Sequence, residues 1–140
     1  ISNITSEPVF FAENSALTDS NKPVWGTCPD TFSIDVTATS SSDYTLSGSD
    51  RNGNISGSDP NLTFNVGDTI NFVVNASGHP FYLKTVSGTG TGDLISGVTN
   101  NGTESETITW TPDTTGTFYY QCSLHGAMVG AIIVKNFGSI

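Results

Sequence analysis

Basic residues are scarce in this chain. Lys22, Arg51, Lys84 and Lys135 are the only four, against 13 Asp and Glu, for a formal net charge of −9 over 140 residues. A surface this acidic repels phosphate backbones and anionic headgroups, so nucleic acid is excluded as a partner class. Long apolar runs are missing as well. None approaches the ~20 residues of a membrane helix, and no membrane span is expected. Apolar periodicity of the helical kind never lasts beyond a turn, and no internal repeat is present. Sulfur and imidazole are rarer still, with two Cys, two His and one Met in the whole chain. Three of those five fall within seven residues of one another.

What the chain does have is Ser, Thr, Asn and Gly around a modest 35% of hydrophobic residues. That composition suits a β protein with polar turns, and the length suits one domain with a real core. Apolar alternation marks the strands. Phe32, Ile34, Val36 and Ala38 face one way; Tyr44 and Leu46 open a shorter strand. Leu62, Phe64 and Val66 lead to Gly67-Asp68, and Ile70, Phe72 and Val74 lead away, which reads as a hairpin about that pair. Further strands are expected at Phe81–Val86, around Ile108 and Trp110, at Phe118–Cys122 and at Ala131–Val134. Residues 87–103 read as a long Gly/Thr/Asn-rich loop. The expected fold is an all-β Greek-key sandwich of seven or eight strands. Trp25, Trp110 and the tyrosines are expected in the core or on a sheet face.

Residues 1–31 break that pattern, with Pro8, Pro23 and Pro29 among an apolar set of Ile4, Val9, Phe10 and Phe11. An extended N-terminal arm over 1–31, ahead of a domain at 32–140, is expected to cover a sheet edge, its own or that of an adjacent subunit.

The chemistry lies in Cys122-Ser123-Leu124-His125-Gly126-Ala127-Met128, a C-x2-H-x2-M run at a strand end. His79, the second imidazole, also follows a strong strand. Two His, one Cys and a weakly held Met form the ligand set of a blue copper site, stable with Cu(I) and Cu(II). A lone C-x2-H is weak evidence and a Met nearby is often core. Four such donors in a chain with two His and one Met are hard to obtain by chance.

These residues carry a resemblance. Gly116-Thr117-Phe118-Tyr119-Tyr120-Gln121-Cys122, with His125, Met128, Gly130 and Val134, resembles the C-terminal ligand loop of the cupredoxins, with the spacing of the amicyanin type. Val66–Phe72, then Asn75 and His79, is similar to that family's hairpin and first ligand. The match spans about residues 60–135. It implies His79, Cys122 and His125 as equatorial copper ligands, Met128 as the axial one, and a cupredoxin-like sandwich. Pro80 stands where Asn often follows the first His, and Leu124 where Pro usually lies between Cys and His.

Other features read more plainly. A Cys28–Cys122 disulfide would consume the thiolate. With Phe32–Ala38 as first strand Cys28 falls at the far end of the sandwich; with Tyr44–Leu46 first it falls nearer, and it is read as free or intermolecular. Asp50–Ser56 places oxygens like a calcium loop, yet its Gly is misplaced and no Glu closes the frame, so an Asn-Gly turn is expected. Sequons stand at Asn3, Asn54, Asn61, Asn75 and Asn101, permitting glycosylation. The chain opens at Ile1 with no basic-then-apolar leader, as after processing, and a secreted protein, extracellular or periplasmic, is expected. No Ser-His-Asp set is credible, since both imidazoles are claimed, and nothing specific supports a paired-carboxylate hydrolase.

Two functions follow. The first is a secreted one-electron copper carrier, not an enzyme, that meets a redox partner protein. The second is a structural subunit of an extracellular filament, virion or surface layer, in which copper is structural or absent and the arm docks on neighbouring subunits.

Overall fold

The computed structural model describes residues 28–136. The expectations for Ile4, Val9, Phe10, Phe11, Trp25 and the sequon at Asn3 lie outside the described residues. Among the described residues are nine strands: β1 (Thr31–Thr37), β2 (Thr45–Asp50), β3 (Gly53–Ser58), β4 (Leu62–Asn65), β5 (Thr69–Asn75), β6 (Phe81–Lys84), β7 (Thr107–Trp110), β8 (Gly116–Cys122) and β9 (Val129–Lys135). They form a five-stranded sheet, β3-β2-β1-β5-β7, and a four-stranded sheet, β4-β9-β8-β6. The all-β sandwich read from the alternation is the observed architecture.

The inward residues are the ones the period of two selects. Ile34, Val36, Ile70, Phe72, Val74 and Ile108 come from the larger sheet, and Leu62, Phe64, Phe81, Leu83, Tyr120 and Ile132 from the smaller. All are buried, and burial of such side chains contributes about 1.5–3 kcal/mol each before chain entropy is set against it. Trp110 joins this core, as expected.

Two local readings differ. The runs around Gly67-Asp68 do not form a hairpin. β4 pairs parallel with β9 and β5 pairs parallel with β1, so the chain crosses from one sheet to the other there. Alternation is the same for two strands that pair and two that face each other across a sandwich, which is why periodicity could not separate the cases. The reason the chain crosses is chemical: the Asp68 carboxylate accepts the Asn65 amide at 2.8 Å and the Asp30 amide at 3.0 Å, tying the corner to the start of β1. The second difference is β3, a strand of Gly, Asn and Ser with only Ile55 apolar. It forms by pairing with β2 along its full length, Thr45↔Ser58 to Asp50↔Gly53. The Asp50–Ser56 stretch is therefore part of the β2–β3 hairpin, turning at Arg51-Asn52, and the Asp50 carboxylate is used by the Asn52 and Thr63 amides, both at 2.8 Å.

β8 and β9 pair with Tyr120 opposite Gly130. A Cβ on Gly130 would collide with the Tyr120 ring, which stacks on Phe81 at 5.4 Å and whose hydroxyl donates to the Pro60 carbonyl at 2.6 Å. Gly130→Ala is expected to cost about 1–3 kcal/mol, since neither ring can retreat in a filled core. Thermal unfolding checks this, and an unchanged midpoint would show that the contact relaxes freely.

Candidate metal centre

The register of the smaller sheet decides which residues meet. β6 and β8 run antiparallel with Phe81 opposite Cys122. His79 lies two residues before Phe81 and so stands just beyond the end of β8, beside the loop that carries His125. The turn that delivers it is braced. The Gly78 amide donates to Glu104 Oε1 at 2.7 Å, the His79 amide to the Ala76 carbonyl at 2.9 Å, and Gly78 takes a φ of 84° that favours glycine.

The other side of the site is the turn from β8 to β9. The Cys122 amide donates to the Met128 carbonyl at 3.0 Å, and the Met128 amide to the His125 carbonyl at 3.2 Å. This back-bonding curls residues 122–128 over the end of the core. Cys122 and Met128 are fully buried, while His79 and His125 are half-buried with ring centroids 5.0 Å apart.

The geometry suits a small ion. The Cys122 Sγ lies 3.5 Å from His125 Nδ1 and 4.0 Å from His79 Nδ1, and the three ligand atoms all fall within 4.8 Å of one another. Three donors arranged trigonally at about 2.1 Å from one centre would stand about 3.6 Å apart, so small movements close the set on a metal. Two imidazoles, a thiol shielded from solvent and a buried thioether on the same loop match the soft donor set that accommodates both copper states. All four residues singled out in the sequence, His79, Cys122, His125 and Met128, thus belong to one end of the sandwich.

Cys28 does not approach them. β1 runs parallel to β5 with Thr31 opposite Thr69, so Cys28 precedes the end where β5 begins, while His79 follows the end where β5 stops. Seven strand residues separate the two ends, about 20 Å. Both thiols are free, Cys28 exposed and Cys122 buried.

Three further residues shape the site and were not foreseen. Tyr44 is fully buried and its one hydroxyl proton is shared between the His79 and Pro80 carbonyls, at 2.9 and 3.0 Å. It ties the start of β2 to the first ligand loop. Burial, with Cys122 nearby, pushes its hydroxyl far above the ordinary range, so it stays a donor. Gln121 and Lys84 are also buried, on the outer face of the smaller sheet under residues 85–95. The Gln121 carboxamide reaches the ligand loop and the Lys84 ammonium reaches the 88–90 carbonyls. The available signal was a polar residue directly before Cys122, and one of four basic residues sitting in an apolar strand. One sequon also has a structural use: Asn101 exchanges both carboxamide bonds with the Leu83 backbone, at 2.8 and 3.1 Å.

No protein-family model matches the chain, and no curated protein sequence does. Solved structures do. The copper protein rusticyanin matches at 22% identity over 75% of this chain and 78% of its own, with a TM-score of 0.51. A rusticyanin variant matches at 20% identity over 78% and 80%, with a TM-score of 0.55. Rusticyanin from Thiobacillus ferrooxidans matches at 21% identity over 78% and 79%, with a TM-score of 0.49. At these identities the first two show a shared fold, and the sandwich is cupredoxin-like.

Proposed function

We propose that this chain is a one-electron carrier holding a single copper ion between His79, Cys122, His125 and Met128, and that it is not a turnover enzyme. The observation that supports this most is the convergence of two imidazole Nδ1 atoms on a buried thiol at 3.5 and 4.0 Å, at the end of a cupredoxin-like sandwich. Bound copper would supply a Cu(I)/Cu(II) couple.

The residues would supply the rest. Cys122, deprotonated, would be the soft donor; His79 and His125 would complete the strong donor set, and Met128 would add a weaker thioether. Braced backbone on both ligand loops resists rearrangement, which favours transfer of an electron without a change of ligands. The half-buried imidazole rings are the part of the set that a redox partner protein can approach. An acidic chain of net charge −9 suits a partner with a basic face. Secretion to the periplasm or the exterior belongs to the same proposal.

Titrating the reduced protein with Cu(II) tests it. An intense visible thiolate-to-copper band should grow to one equivalent, bleach with a mild reductant and return on reoxidation. Copper uptake without that band, or a band that does not return, would overturn the proposal.

A further inference from the structure

The loop between Cys122 and Val129 carries two of the four candidate ligands, and main-chain amides meet its Ser123, His125, Ala127 and Met128 carbonyls. The side chain before the cysteine adds a second set of ties. Strand alternation sends Cys122 into the core and Gln121 to the opposite face, where it is 1% exposed. From there Gln121 Nε2 lies 3.0 Å from both the Cys122 and the His125 carbonyls, with the Met128 and Gly126 carbonyls at 3.3 and 3.5 Å. A carboxamide has two N–H donors, so the first two bonds are the principal ones and the others are secondary.

The orientation of that amide is itself fixed. Gln121 Oε1 accepts the Gly88 amide at 3.1 Å. Were the group turned over, its oxygen would face four carbonyls and its NH2 would face an N–H. Gly88 is held in turn by Lys84, a strand residue that is 2% exposed and whose ammonium donates to the Gly88, Gly90 and Thr89 carbonyls at 2.7, 3.2 and 3.5 Å. A buried ammonium demands acceptors, and these three peptides supply them. A second tie, from the Gly90 amide to the Ser123 carbonyl at 2.9 Å, binds the same segment to the ligand loop.

We infer that Gln121 is a positioning residue that fixes the carbonyl frame of residues 122–128, and with it the placement of His125 and Met128, and that Lys84 acts through Gly88 to keep Gln121 in that role. The consequence for copper rests on the function proposed above; the consequence for the loop stands without any metal. Both side chains bond to backbone groups, so removing them should alter the geometry of a site rather than delete a donor.

Two near-isosteric variants, Gln121→Met and Lys84→Met, test this in metal-free and copper-loaded protein. In the metal-free protein, hydrogen exchange at the Gly88 and Met128 amides should accelerate about tenfold or more in Gln121→Met, with Val36 and Phe72 in the distant sheet keeping their protection. Lys84→Met should accelerate Met128 exchange as well, by a smaller factor, although the Lys84 ammonium bonds to the 88–90 carbonyls and not to the loop. In the copper-loaded variants, the visible band should persist with a shifted electron paramagnetic spectrum and reduction potential. Unchanged Met128 exchange in both variants would overturn the inference. An unchanged spectrum and potential would overturn its consequence for the metal. Faster exchange in a protein that takes up no copper would uphold the positioning role while contradicting the copper proposal. If Gln121→Met does not fold, Lys84→Met carries the test, because the Gln121 amide is intact there.

Discussion

Cys122→Ser is expected to abolish the intense visible band of the copper-loaded protein and leave the sandwich folded. The band requires a thiolate bonded to Cu(II), and among the described residues Cys122 is the one cysteine near the two imidazoles; Cys28 sits at the opposite end. Serine has almost the same shape, so Phe81, Tyr120 and Tyr44 keep their contacts around it. The change buries a hydroxyl in place of a thiol, at a cost of about 1–3 kcal/mol. His79 and His125 remain and would bind Cu(II) weakly, giving a pale complex with nitrogen and oxygen ligands. Absorption and circular dichroism on the same sample check both halves. A surviving blue band would mean that a different thiolate binds copper.

The largest expected loss of stability comes from the other end of the molecule. Asp68 is fully buried, and it receives a two-pronged bond from Arg51, Nε to Oδ2 at 2.9 Å and Nη2 to Oδ1 at 2.6 Å, besides the Asn65 and Asp30 amides. Arg51 also donates to the Cys28 carbonyl and lies over the Phe32 ring at 5.2 Å. Asp68→Ala would take the carboxylate from a 10% exposed guanidinium and the acceptor from two amides, and is expected to cost about 3–5 kcal/mol. For a domain of this size that lowers the unfolding midpoint by roughly 10–20 °C. A loss under ~1 kcal/mol would show that water replaces the carboxylate at little cost.

The pH dependence has a definite sign. Burial alone would push Asp68 up, but the Arg51 fork and the two amides outweigh it and hold the carboxyl below its ordinary range. A depressed folded value means that the stabilisation is present above the unfolded value of about 3.9 and is lost as pH falls through the folded one. The gap between wild type and Asp68→Asn should therefore narrow in acid. Asp59 works against this trend, since burial raises it despite the Tyr44 amide it accepts. Comparing the two proteins at each pH cancels that opposing contribution.

Much of this was legible in the sequence, for reasons that can be traced to particular residues. Alternation identified β1, β5, β8 and β9 because each buries one face, and a one-residue slip would turn Ile34 or Ile132 to solvent. The four donors were legible because imidazole and sulfur are so rare in the chain that their clustering carried information. β3 was not legible, since Gly53–Ser58 has almost no apolar signal and owes its existence to its partner strand. The sheet crossing at Gly67 was hidden because alternation does not record which strands pair. Gln121, Lys84 and Tyr44 were missed for a further reason. Their roles depend on where backbone carbonyls converge, and a polar residue in a strand gives no sign of that until the loops above it are placed.

The central claim concerns which atoms hold copper and how little they move, and X-ray absorption at the copper edge in both oxidation states measures this most directly. The expected result is one sulfur at short distance and two imidazole nitrogens in the oxidised protein, with the same set and nearly the same distances after reduction. A shell of nitrogen and oxygen alone, or loss of an imidazole or the thiolate on reduction at neutral pH, would contradict it.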